Sequence, residues 1–308
     1  MKNSYAPNFL TLSLKFIIVA NAIIFINVFI FNRQMLIDIH SHLDHHYFKD
    51  DLDIVIENAR KANVKVILTA GINPETNRKA LEIANKYDIV KACLGIYPVQ
   101  YENNNNPENN KKNDNPNTII KNNKNKIDID KELRFIEKNK NKIAAVGEVG
   151  LDYSSIENNV KKQKEQFEKI IQLTEKLSKP IIIHSRKAEN DCIEMLQSSK
   201  LKKVIMHCFG GRKSLVKKII DNGWFLTAPT CITRATQFQE NAKLCPITQL
   251  FCETDAPYLS PFKSKTGEFQ RNEPAFIIEA YKKVAEIKGM ELKEVINNVW
   301  MNFQTVFR

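Results

Sequence analysis

The feature that most constrains the fold is an alternation that begins at Leu36 and runs for most of the chain. Short apolar runs rich in Val, Ile and Leu cover 36–40, 64–69, 90–95, 143–148, 180–184, 203–207, 223–227 and 249–253. Amphipathic stretches lie between them, at 51–62, 75–87, 129–140, 160–178, 187–199, 212–222, 233–243 and 273–288, with a last one at 291–307. Apolar runs of this length suit strands covered on both faces, the condition of a parallel sheet. Eight strand–helix units in succession predict an α/β chain folded as a single (β/α)8 TIM barrel over 35–308. A doubly wound open sheet is the alternative. Asn73-Pro74 and Asn272 read as helix starts, and Gly71 and Gly223 as turns.

Two segments break the alternation. Residues 1–34 carry a largely apolar run, 9–31, interrupted by Ser13, Lys15, Asn21 and Asn27. Its unbroken part is short for a membrane span, which needs about 20 residues. An anchor or signal, a buried helix and translated upstream sequence ahead of a start at Met35 all remain open, and no small-residue cleavage site is evident. The second segment, 101–127, is an Asn- and Lys-rich insertion of low complexity that cannot bury a core. Following the third strand, it should emerge at the barrel rim. It reads as a tolerated insertion, with a basic flap over a nucleic-acid groove as the functional alternative.

Six cysteines stand at 93, 192, 208, 231, 245 and 252, with no Cys-x-x-Cys pair and no secreted disulfide spacing. That suits a reducing cytoplasm, with membrane anchoring through 9–31 as the alternative. The formal net charge of +11 favours a polyanionic partner or simply solubility. No long basic run makes non-specific nucleic-acid binding a requirement. Nothing points to an obligate protein partner or an oligomeric state.

Candidate ligands recur where strands should end. His40 and His42, two residues apart on one strand, point to the same side and can chelate one divalent ion. Glu148 closes the fourth apolar run, His184 the fifth, His207 the sixth, and Asp255 follows the eighth. The chain has only six histidines, and four of them occupy these ends. A parallel barrel gathers its C-terminal strand ends around one mouth. Four imidazoles and two carboxylates there are enough to hold two metal ions.

The ordered set His40-Ser-His42, Gly147-Glu-Val-Gly-Leu-Asp-Tyr153, Ile183-His-Ser-Arg186, His207-Cys-Phe-Gly210 and Glu253-Thr-Asp-Ala-Pro-Tyr-Leu259 resembles the TatD family of metal-dependent deoxyribonucleases. Arg271-Asn-Glu-Pro-Ala-Phe276 and Asn302-Phe303 are similar to that family's tail. The resemblance covers Met35 to Phe307 apart from the insertion, and implies a distorted barrel of the amidohydrolase-like kind. One departure is clear: many members carry Gly-x-His-Pro-His, where this chain reads Gly95-Ile-Tyr-Pro-Val99. Tyr97 and Val99 each replace an imidazole, which weakens transfer of substrate preference.

The resemblance implies one ion held by His40, His42, Glu148 and Asp255, and a second by Glu148, His184 and His207. Glu148 would bridge them and Asp255 would take the proton of the attacking water, so these two are the catalytic carboxylates. The ions would be Zn2+, Mg2+ or Mn2+. Arg186 is the candidate for binding a substrate phosphate, or else a rim salt bridge. Glu253 should point into the wall behind the ligands, and Cys208 should pack. His45 and His46 read as solvated or as helpers of a phosphate. Tyr153, Phe209 and Tyr258 are candidates for base contact or for packing. The implied activity is hydrolysis of DNA phosphodiesters, as a 3′–5′ exonuclease on single strands. Hydrolysis of a small amide, ester or lactone at the same metals is the alternative. A nucleic-acid-binding module with structural zinc fits less well, because structural zinc prefers a closed four-ligand site.

Overall fold

Eight strands form one sheet in sequence order, each parallel to its neighbours. The computed structural model describes residues 35–98, 127–154, 159–263 and 270–308. The extension 1–34, Val99 and the insertion up to residue 126 lie outside the described residues. In chain order the strands are β1 Leu36–Ser41, β2 Val64–Gly71, β3 Val90–Leu94, β4 Ile143–Asp152, β5 Ile181–Arg186, β6 Val204–Met206, β7 Phe225–Pro229 and β8 Leu250–Glu253. The helices are α1 Leu52–Lys61, α2 Pro74–Lys86, α3 Ile129–Lys138, α4 Val160–Leu177, α5 Glu189–Gln197, α6 Lys213–Asp221, α7 Thr236–Leu244, α8 Ile278–Lys288 and α9 Leu292–Phe307. The barrel, not the open sheet, is the architecture. Among the described residues no helix is long and apolar enough to cross a membrane.

The strands are apolar on both faces because one face fills the barrel and the other packs under the helices. Ile37, Ile39, Ile67, Val146, Ile182, Ile183, Ile205 and Phe251 are all fully buried. The helix starts follow local chemistry. The Asn73 side chain accepts from the Thr76 amide, the Thr76 hydroxyl accepts from the Asn73 amide, and Pro74 opens α2. Such a cap is worth about 1 kcal/mol.

The seam between β8 and β1 shows why the barrel closes. There the backbone ladder is sparse: Asp255 N donates to His40 O at 2.9 Å and His42 N to Ala256 O at 2.7 Å. Side chains supply the rest. The Thr254 amide and hydroxyl donate to the buried Asp38 carboxyl at 2.8 and 2.5 Å. The buried Tyr281 hydroxyl of α8 accepts from Ile37 N and donates to Ile37 O, both at 3.1 Å. Backbone groups that lack a strand partner are thereby satisfied.

Three boundaries differ from expectation. β4 does not end at Glu148 but runs on to Asp152, with its pairing to β5 shifted between Val146 and Val149. Gly150 permits this: its φ is +142°, and a Cβ there would collide with the His184 carbonyl oxygen. Asn272 does not cap a helix. It is buried, and its amide donates to Thr230 Oγ1 and Thr254 O at 2.8 Å each, tying the β7 and β8 loops together. The stretch predicted as helix over 273–288 opens with a 3-10 turn at Pro274–Ile277 before α8.

Candidate metal centre

The parity of β1 decides the centre's first half. Asp38, His40 and His42 stand two residues apart, so all three project to the same side, the inside of the barrel. The two imidazoles bring their Nε2 atoms within 3.2 Å of each other. His42 Nδ1 donates to Ala70 O at 3.0 Å, which leaves its Nε2 as the free lone pair.

β4 places Glu148 opposite them. Its Oε2 lies 3.5 Å from His40 Nε2 and 3.4 Å from His42 Nε2. Its other oxygen, Oε1, lies 2.8 Å from His184 Nδ1 and 3.3 Å from His207 Nε2. One buried carboxylate thus faces two histidine pairs, one with each oxygen. Asp255, two residues past the end of β8, puts Oδ1 at 3.4 Å from His42 Nε2 and 3.7 Å from His40 Nε2. The donor atoms fall into three overlapping groups, His40–His42–Glu148, His40–His207–Asp255 and Glu148–His184–His207. All six residues singled out as ligands therefore meet at one place. Imidazole nitrogens and carboxylate oxygens converging on shared points are the donor set that divalent transition metals take.

The far nitrogens are anchored. His184 Nε2 donates to Asp152 Oδ2 at 3.0 Å, and His207 Nδ1 to Glu253 Oε2 at 3.2 Å. Glu253 is fully buried and also accepts from Cys208 N at 2.9 Å, so it stands in the wall behind the ligands, as expected. Carboxylates behind a histidine fix its tautomer and raise its basicity. Asp152 was not singled out by the sequence reading. It shares strand parity with Glu148, a signal usable only once β4 is known to continue.

Burial opposes the charge on Glu148, yet His207 nearby and hydrogen bonds from His184, His207 and His40 hold its carboxyl well below the ordinary range. Burial likewise opposes charge on His42 and His207. The carboxylates Asp255 and Glu148 raise the first well above an ordinary imidazole, and Glu253 and Glu148 do so for the second. His40 is held low by burial and by His207, whose ring stacks on it at 3.9 Å.

Arg186, at the end of β5, is exposed, and its guanidinium forms no hydrogen bond or ion pair among the described residues. Phe209 is fully buried and packs in the core. Tyr153 donates to Asp191 at 2.9 Å, and Tyr258 meets His45 Nε2 at 3.0 Å. Cys208 lies outside the three donor groups.

A family model described as TatD related DNase matches residues 37–308. The chain belongs to the TatD family. Its TatD relatives include Deoxyribonuclease TATDN3 of Homo sapiens, 34% identical over 88% of this chain and 94% of that protein. A Bacillus subtilis relative, the uncharacterized metal-dependent hydrolase YabD, is 31% identical over 89% of this chain and 99% of its own length. Among solved structures, the TatD homolog YjjV of Escherichia coli superposes with a TM-score of 0.75 at 22% identity, covering 88% of this chain and 97% of that one. The TatD chain described here is a metal-dependent hydrolase.

Proposed function

We propose that this TatD enzyme hydrolyses phosphodiester bonds of DNA at a two-ion site, as a 3′–5′ exonuclease on single strands. The observation that carries the reading is the division of Glu148 between two histidine pairs. His40, His42, Glu148 and Asp255 would hold one divalent ion, and Glu148, His184 and His207 the other. Imidazoles suit Zn2+ or Mn2+, and phosphoryl chemistry admits Mg2+. Such ions make water acidic enough to attack at neutral pH and offset charge on phosphoryl oxygens.

The chain's own groups do the positioning. Asp255 reaches the centre from beyond β8, and its carboxylate would hold the attacking water and take its proton. Asp152 and Glu253 hold His184 and His207 in the tautomers that turn a lone pair inward. Arg186, without a hydrogen-bond or ion-pair partner among the described residues, would fork onto a non-bridging phosphate oxygen. Tyr153 and Tyr258 stand at the rim for base contact. All six cysteines are free thiols, which suits a cytoplasmic enzyme.

The relatives named as deoxyribonucleases support DNA as substrate. The test is digestion of end-labelled single-stranded DNA and RNA with and without added divalent metal, with Asp255→Ala as control. Shortening of DNA from its 3′ end by wild type alone supports the reading. Cleavage of neither polymer, with turnover of an amide or lactone panel, would replace it with the small-molecule reading.

A further inference from the structure

Each oxygen of Glu148 faces one histidine pair, so the side chain serves both only while its backbone keeps one position between them. Gly95, the first residue past β3, lies against that backbone. A Cβ on Gly95 would stand 2.3 Å from Glu148 O and 2.6 Å from Glu148 N, so no space separates the two. A shift of Gly95 toward β4 is therefore a shift of Glu148.

Gly95 is fixed by a side chain. Asn77 of α2 is fully buried, accepts from Gly95 N at 3.1 Å and donates to Gly95 O at 2.9 Å. One amide thus clamps both polar groups of one residue. Gly71, at the end of β2, makes room for it: a Cβ there would lie 2.3 Å from Asn77 Oδ1. The amide cannot turn over, because its nitrogen also donates to Glu132 Oε1 at 2.7 Å, and that carboxylate would repel the amide oxygen. Glu132 of α3 is buried as well. Arg78 Nη1 donates to both its oxygens, at 2.6 and 2.7 Å, and the guanidinium lies 3.7 Å from the Phe135 ring centre. Groups this polar are costly to bury unless each is bonded, and here each is. The line from Glu132 through Asn77 and Gly95 ends at the backbone of Glu148.

We propose that Asn77 is a positioning residue that sets, through Gly95, where Glu148 stands between its two histidine pairs. The proposal rests on the two-ion reading, and it names the residue that aims the shared carboxylate.

The experiment titrates Mn2+ alone into the metal-free full chain. Calorimetry reads the affinity, and electron paramagnetic resonance reads whether two bound Mn2+ couple, as ions sharing a carboxylate do. Wild type should bind a coupled pair. Asn77→Ala should bind Mn2+ about ten-fold or more weakly and lose the coupling. The control is Asn302→Ala on α9, which removes a buried amide that donates to Ile247 O and to Leu250 O at the start of β8. It should lower the melting temperature and leave Mn2+ affinity and coupling unchanged. Glu132→Ala removes only the acceptor behind Asn77 and should weaken Mn2+ binding by a smaller factor, which Glu132→Gln should restore. Unchanged affinity and coupling in Asn77→Ala, an equal loss in Asn302→Ala, or equal affinity in the two Glu132 variants overturns the proposal. Uncoupled Mn2+ in wild type, with weaker binding in Asn77→Ala, sinks the two-ion reading alone.

Discussion

The hydroxyl of Tyr97 donates to Oδ2 of Asp152 at 2.9 Å, the same oxygen that accepts from His184 Nε2. Oδ1 of Asp152 accepts from Ser154 N and Ser154 Oγ, so the carboxylate is anchored from all sides. With a phenol this chain reaches the carboxylate behind a histidine of the candidate metal centre. Asp152→Asn should weaken divalent-metal binding by about 10- to 100-fold. Tyr97→Phe, which leaves the Asp152–His184 bond in place, should cost less. Isothermal titration with Mn2+ or Zn2+ measures both, and unchanged affinity in Asp152→Asn would show that the contact does not support the centre.

Asp38 closes the seam between β8 and β1. Asp38→Ala strands two buried Thr254 donors, and should cost about 2–4 kcal/mol in urea unfolding. Burial, the largest influence, raises the Asp38 carboxyl from 3.8 to about 8, against the pull of its Thr254 hydrogen bonds. Between those values the folded chain keeps a proton that the unfolded chain has released, so stability falls as pH rises through that window. Asp38→Asn should flatten that slope. Parallel slopes for wild type and Asp38→Asn between about pH 5 and about pH 8 would contradict the assignment.

His184 is raised above an ordinary imidazole, against burial, by Asp152 and Glu148, and His42 and His207 are raised further. Without metal these shifts favour the protonated rings, whereas ligation needs their lone pairs. Metal binding should therefore release protons, and affinity should rise with pH. Titrations in buffers of different ionisation enthalpy count the protons released. An apparent enthalpy independent of buffer would mean that the rings are already neutral.

Among the described residues the Arg186 guanidinium forms no hydrogen bond or ion pair, so Arg186→Ala should change the melting temperature little. Removing a charged hydrogen bond to a phosphate costs about 1.5–3 kcal/mol, so kcat/KM on DNA should fall by about ten-fold or more. Arg186→Lys should restore only part of that, since an ammonium cannot fork. A drop in melting temperature with unchanged kcat/KM would assign Arg186 to the fold.

The barrel was legible because every strand reads as an apolar run and every crossover as an amphipathic helix. The candidate ligands were legible because His40, Glu148, His184, His207 and Asp255 each stand at or just past the end of such a run. What supports them was not. Glycines around Glu148 resemble a loop, which hid the continuation of β4 and with it Asp152. Nothing local in the sequence marks Asp38, because its partner Thr254 is 216 positions away. Tyr97 read only as a departure that weakens transfer of substrate preference, since sequence does not show where a hydroxyl ends.

The most direct measurement is metal content by elemental analysis of protein purified without chelator, wild type beside Glu148→Ala. Wild type should carry two divalent ions per chain, and the variant fewer than one, because its single carboxylate serves both histidine pairs. Two tightly held ions in Glu148→Ala would contradict the account.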